Sequence, residues 1–229
     1  MGASFDLAAT LRLCDELGVC VALDLTQSLG VVPYCFGALS RTLRLLAACS
    51  VHKHLYGMHG TSLVFVSPAL LAARGDVPAL EPHAHQLAAA AVADWDARDG
   101  MTAAGYAAER APGARRWDAG HSNGLGWAVL AASLRLVLRE REDCQQRLAA
   151  LSGEARRRLA ALPGVATVGE APHFFSLRCE RAPELHAHLR ARRVYVDLRH
   201  GGLRVAFGLY NSAVDVDTLV EVVAQWLAQ

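Results

Sequence analysis

Apolar positions recur with two different periods along the chain. In residues 6–17, DLAATLRLCDEL, the side chains of Leu7, Leu11 and Cys14 fall on one face of a helix, and Gly18 supplies a stop. The run VCVALD then stays apolar for the length of a strand and ends in Asp24. Such runs suit a parallel strand covered on both faces. LTQSLG follows as a loop at its carboxyl end. A second apolar run, LRLLAACS, leads into Ser50, His52 and Lys53, and a third, TSLVFVS, follows Gly57 and Gly60. Alternating helix and buried strand predict an α/β sheet, in which ligands sit outside the carboxyl ends of the strands. Asp24, Gln27 and Lys53 fall at such ends.

The pattern weakens over 68–123, where RGDVPALEPHAH and ERAPGARRWDAGHSN read as loops around a short alanine-rich helix. Residues 124–162 are strongly helical, with Leu130, Leu134, Val137 and Leu138 on one side, Gly153 as a break and Pro163–Gly164 as the end. The remainder reads as a compact α+β unit: FFSLRC a strand, APELHAHLRARR a helix, VYVDLR and GLRVAFGLY strands. The last helix opens at Asn211 or Ser212, with Asp215 in its first turn and Val216, Leu219, Val220, Val223 and Leu227 turned inward. The expected domains are a partial large domain, 1–123, and a linking helix with a small C-terminal domain, 124–229.

A hydrophobic fraction of 53% with 20% charged residues belongs to a globular chain, and a formal net charge of +1 gives no reason to expect nucleic acid or a membrane surface as partner. The run Arg156, Arg157, Arg158 reads as a solvated helix face. No stretch reaches the roughly 18 uninterrupted apolar residues of a membrane span, and no signal region opens the chain, so a cytoplasmic location is expected. Six scattered cysteines without a C-x-x-C pair suggest reduced, mostly buried thiols.

The positive charges narrow the chemistry, because the chain has 22 arginines and one lysine, Lys53. Guanidinium can replace lysine wherever charge alone matters, but it stays protonated and cannot form an imine. A lone lysine at a strand end, between two histidines and before a glycine-rich turn, is a candidate Schiff-base nucleophile; its bland alternative is chance retention. Asp24, ending an apolar strand, calls for a cationic partner. A pyridinium nitrogen is one, and an Asp facing the ring nitrogen of pyridoxal 5'-phosphate keeps that ring an electron sink. The Gln27 amide is placed to donate to the ring's phenolate oxygen, and Ser50 and His52 to hold phosphate oxygens. Metal binding through His52, His54 and His59, or His83 and His85, is a weaker reading, since no carboxylate or cysteine stands at a matching interval.

Taken together, "ALDLTQSLG" resembles the Asp-x-x-Gln-Ser stretch of the class V aminotransferase family, and "SVHKHLYGMHGTSLVFV" its Ser-x-His-Lys and glycine segment. "WDAGHSNGLG" is similar to the family's Glu-x-Gly-Thr-x-Asn segment, and "LRVAFGLYNSAVDVDTLV" to its closing Arg-x-Ser-x-x-x-Tyr-Asn stretch. This fold-type I group includes cysteine desulfurases and kynureninase-like and isopenicillin-epimerase-like enzymes. The resemblance implies Lys53 as the Schiff-base lysine, Asp24 at the pyridine nitrogen, Gln27 at the phenolate oxygen, Ser50 and His52 at the phosphate, and Arg204 as the clamp on the substrate carboxylate. His200, near Arg204 in sequence, is a second candidate on the substrate side, where it would tune the reaction.

Two departures stand out. His121 occupies a position where relatives usually have Thr, whose hydroxyl reaches the phosphate of the neighbouring subunit's cofactor. Relatives also carry a long N-terminal portion before the Asp-bearing strand. The resemblance is therefore to a C-terminal part: an incomplete large-domain sheet plus a small α+β domain. It implies an enzyme acting on an amino acid, of aminotransferase or C–S/C–C lyase type. A homodimer, or a heterodimer with an N-terminal half, and weak cofactor binding by the chain alone are expected. "YVDLRHGGLR" lacks the cysteine that desulfurases carry before the closing arginine strand, and Cys179 reads as a core residue. The rival reading is a non-catalytic remnant or structural partner of a split enzyme.

Overall fold

The structure is a computed structural model and describes residues 6–37, 39–73, 113, 123–139, 141–200 and 202–229. These fall into two compact units: one within Leu7–Gln27 and Tyr34–Ser133, the other within Met1–Asp6, Ser28–Pro33 and Leu134–Gln229.

The first unit opens with α1 (Leu7–Glu16), which buries Leu11 against Leu43 and Leu45, with Leu7, Cys14, Val21, Leu23 and Phe36 packed around them. The helix stops where Gly18 takes φ 64°, a conformation costly for other residues, while the Val19 amide reaches back to the Cys14 carbonyl at 2.8 Å. Three strands follow: β1 (Val21–Asp24), β2 (Leu45–Ser50) and β3 (Ser62–Val66), in the order β1-β2-β3. β1 runs parallel to β2, with Asp24 opposite Ala48, and β3 runs antiparallel to β2, with Ser62 opposite Ser50. The sheet is mixed.

Burial alternates along β2: Leu45, Ala47 and Cys49 are buried, while Leu46, Ala48 and Ser50 are half-buried. In β1, half-buried Val21 and Leu23 alternate with exposed Ala22 and Asp24, so the expected cover on both faces is not what the strand has. Ala22 offers only a methyl, and leaving it exposed costs little.

Fully buried Ser67 joins β2 to the short helix α2 (Pro68–Ala72). Its hydroxyl accepts from the amides of Leu45 (2.9 Å) and Leu70 (3.1 Å) and donates to the Leu43 carbonyl (2.8 Å). It is the helix N-cap, with Pro68 in the first turn, where a missing N–H does no harm.

Helices α3 (Gly124–Arg139) and α4 (Arg141–Ala160) cover the helical stretch read from the sequence, and Gly153 lies inside α4 without interrupting it. Leu130 and Val137 of α3 are buried, but Leu138 is 63% exposed. Its expected place on the inner face fails because that face continues from Leu130 through half-buried Leu134 to Val137.

In the second unit, β4 (Ala166–Val168), β5 (Phe174–Arg178), β6 (Asp197–Arg199) and β7 (Gly202–Ala206) form an antiparallel sheet in the order β4-β5-β7-β6. Helices α5 (Ala182–Ala191) and α6 (Ala213–Leu227) complete it. Phe175, Leu177, Leu203 and Val205 of the sheet share one core with Leu148 and Leu159 of α4, Leu185 and Leu189 of α5, and Val216, Leu219, Val223 and Trp226 of α6. At the start of α6 the Ser212 amide donates to Asp215 Oδ2 at 2.7 Å, the capping expected from the sequence. The strand expected over VYVDLR shortens to Asp197–Arg199, because Arg193 takes φ 59° and Tyr195 is 77% exposed. No described helix is long and apolar enough to cross a membrane.

Candidate functional site

Asp24 ends β1, exposed, on the sheet face that also carries Ala22 and, by register, Leu46, Ala48 and half-buried Ser50 of β2. The chain turns at once: the Thr26 amide donates to Asp24 Oδ1 at 2.9 Å, an Asx turn. The Leu25 amide adds a last rung to the Ala48 carbonyl at 2.7 Å. Beyond that rung the ladder is continued by a side chain, because Thr26 Oγ1 accepts from the Ser50 amide at 3.1 Å. The Asp24 carboxyl titrates below its ordinary range, chiefly because the Thr26 hydroxyl and then the Thr26 amide bond to its charged form. Burial opposes this, and the charge of Lys53 adds a further, lesser lowering.

Lys53 lies in the turn between β2 and β3, half-buried, where its electrostatic influence reaches Asp24 and the Cys49 thiol. That turn is closed by backbone bonds from Val51 N to Thr61 O (3.3 Å), Gly57 N to Val51 O (2.9 Å) and Tyr56 N to Lys53 O (3.2 Å). Gly57 passes so close to Val51 that any Cβ there would overlap the valine side chain. The Cys49 thiol, buried beneath, is pushed up by burial and by the Asp24 charge.

His52 stacks on His59 with ring centroids 4.1 Å apart and planes at 22°. The His52 imidazole titrates below its usual value, first through desolvation, then through the positive charges of His59 and Lys53. Among the described residues no group of three or more His, Cys, Asp or Glu is placed to hold a metal ion, and His83 and His85 lie outside them.

Asp24, Ser50, His52 and Lys53 thus cluster where β1 and β2 end, with Gln27 exposed a few residues beyond. Arg204 and His200 belong to the second unit. In β7, Arg204 pairs across the ladder with Asp197 of β6 and donates from Nη2 to Asp197 Oδ2 at 2.8 Å; Arg199 Nε reaches the same oxygen at 2.8 Å. His200 is exposed in the β6–β7 turn with φ 35°. His121 lies outside the described residues.

Sequence reading passed over Thr26 and Asp197. Each had a signal: Asp-x-Thr is a common Asx-turn pattern, and Asp197 with Arg199 and Arg204 forms a charge-complementary set across neighbouring strands. Of the thiols expected to be mostly buried, Cys20 and Cys35 are exposed, since both lie outside the regular elements.

No protein-family profile and no curated protein matches the chain. Solved structures do. An apo cysteine desulfurase from Thermococcus onnurineus NA1 superposes with a TM-score of 0.79 at 18% identity, over 99% of this chain and 57% of that one. A cysteine desulfurase from Escherichia coli gives 0.80 at 20% identity, over 99% and 56%. An alanine–glyoxylate aminotransferase from Nostoc sp. gives 0.66 at 22% identity, over 99% and 58%. The chain spans less than two thirds of each. Over the part that it spans, the chain has the mixed α/β fold of these cysteine desulfurase and aminotransferase structures, in agreement with the class V, fold-type I resemblance read from its motifs.

Proposed function

We propose that this chain is part of a pyridoxal 5'-phosphate enzyme that acts on an amino acid through Lys53, of aminotransferase or C–S/C–C lyase type. When bound, that cofactor supplies an aldehyde that condenses with an amine and a protonated ring that withdraws electrons. The observation that carries the reading is that the sole lysine acts by charge on a carboxylate, at the neighbouring strand end, whose titration Thr26 lowers. The residues present fit the group: an acid whose titration is lowered, for a ring nitrogen, small Ala22 and Ala48 on its sheet face, and an amine whose charge acts on that acid.

In this reading Lys53 supplies the amine, Asp24 holds a proton at the ring nitrogen, and Gln27 donates to the phenolate oxygen. Ser50 and His52 hold phosphate, and His121 donates to the phosphate of a neighbouring subunit's cofactor. Arg204, with His200 nearby in the chain, receives the substrate carboxylate, for which a planar guanidinium is suited. The pairing of Arg199 with Gly202, with two residues between them in sequence and no cysteine, weighs against a desulfurase-type cysteine loop before the Arg204 strand. A homodimer, or a heterodimer with a chain completing the sheet, would supply the rest of the site.

The test is borohydride reduction in the presence of pyridoxal 5'-phosphate followed by peptide mass analysis. A pyridoxyl adduct on Lys53, abolished in Lys53→Arg, is expected. Absence of the adduct, also with a chain that completes the fold, sinks the reading in favour of a non-catalytic partner.

A further inference from the structure

The Thr26 hydroxyl has two neighbours and one proton. Its oxygen accepts from the Ser50 amide at 3.1 Å, and the same hydroxyl is the leading cause that lowers the Asp24 titration. The same carboxylate is held at Oδ1 by the Thr26 amide. One residue therefore links the acid at the end of β1 to the residue from which the chain runs on to His52 and Lys53. Backbone pairing stops at Leu25 and Ala48, leaving this side-chain rung as the tie between the two strand ends.

We propose that Thr26 is a positioning residue: with its hydroxyl fixed by the Ser50 amide, it orients the Asp24 carboxylate and holds it in register with the Ser50–Lys53 segment. The inference rests on the reading of Asp24 and Lys53 given above, and goes beyond it by assigning the alignment of the pair to a residue to which that reading gives no role. The Thr26 amide, 2.9 Å from Asp24 Oδ1, limits how the acid can rotate, while the Thr26 hydroxyl is anchored to β2 at the Ser50 amide. An alanine or valine at this position would keep the Asx turn through the amide and lose the link to β2.

The test uses the full chain without added cofactor, so that its outcome is separate from that of the borohydride experiment. Thr26→Val removes the hydroxyl at nearly constant volume, and Thr26→Ser keeps it. Two signals are followed by NMR: the titration of the Asp24 carboxyl and the hydrogen exchange of the Ser50 amide. In Thr26→Val the Asp24 midpoint should rise toward the ordinary carboxylate value and Ser50 exchange should accelerate by about 3- to 10-fold, the effect of losing one hydrogen bond; Thr26→Ser should restore both. An unchanged Asp24 titration in Thr26→Val, or a Ser50 amide that exchanges in the unmutated chain as fast as a free one, overturns the inference even where Lys53 is labelled. Failure to label Lys53 with both signals as expected overturns the function and leaves the Thr26 link standing.

Discussion

Gly57 sets the shape of the lysine turn, and replacing it by alanine puts a number on that role. A Cβ at 57 would stand 3.0 Å from the Val51 Cβ and 3.3 Å from the Val51 carbonyl oxygen, and would overlap Val51 Cγ2. Val51 cannot move aside easily: it is 0% exposed, and its amide and carbonyl are both bonded across the turn. Overpacking of this kind costs typically 1–3 kcal/mol. Gly→Ala also restricts the unfolded chain and returns about 0.4–1 kcal/mol where no strain results. The net expectation for Gly57→Ala is a loss of about 1–2 kcal/mol, seen as a lower urea midpoint at unchanged slope.

Truncating the obstacle separates this cause from others. Val51→Ala alone removes buried apolar surface worth about 1.5–3 kcal/mol. In the double variant Val51→Ala/Gly57→Ala the overlap with Cγ2 is gone, so the two losses should fall short of additivity by roughly 1 kcal/mol. Lys53 labelling should drop in the glycine variant and recover in part in the double one. A Gly57→Ala chain within about 0.5 kcal/mol of the parent, or a strictly additive cycle, would refute the steric account of this turn.

Further outcomes follow from neighbouring features. Ser67→Ala strands two buried amides and a carbonyl, and should cost about 2–4 kcal/mol in the same denaturation assay. The His52 imidazole should titrate below its ordinary 6.5 by NMR, and His59→Gln should raise it, since a neighbouring charge is lost. Because the folded state disfavours the charged ring, stability from this group is complete above 6.5 and is lost as the pH falls from there through the lower folded value. Asp197→Asn should lower stability by less than about 1 kcal/mol, as expected for a partly exposed pair, while broadening the Arg204 side-chain NMR signals. Leu130→Ala should cost about 2–5 kcal/mol and Leu138→Ala within about 0.5 kcal/mol, which separates the inner from the outer face of α3 by calorimetry.

Much of this was legible in the residues. The end of α1 at Gly18, the three apolar strands, the Ser212–Asp215 cap and the grouping of Asp24, Ser50, His52 and Lys53 follow from periodicity, turn chemistry and a lone lysine. What was not legible depended on partners distant in sequence. Ala22 and Leu138 look apolar wherever they lie, and only packing decides which apolar residues are covered. Thr26 reads as an ordinary turn residue until the register of β2 brings the Ser50 amide to its hydroxyl. Arg204 reads as a free cation until β6 and β7 pair and set Asp197 against it. Gly153 does not break α4, since a glycine within a helix is only mildly unfavourable.

The alternation of burial in β2 limits how this segment could change over generations. Leu45, Ala47 and Cys49 are committed to the interior, and Ala48 and Ser50 to the side shared with Asp24. Insertion or deletion of a single codon within these six residues would exchange the two sets, sending Ser50 inward and Cys49 out. Length variation should therefore be tolerated in the stretch from Gln27 to Arg44 but purged between Leu45 and Ser50, where only changes by two residues preserve which side each group serves.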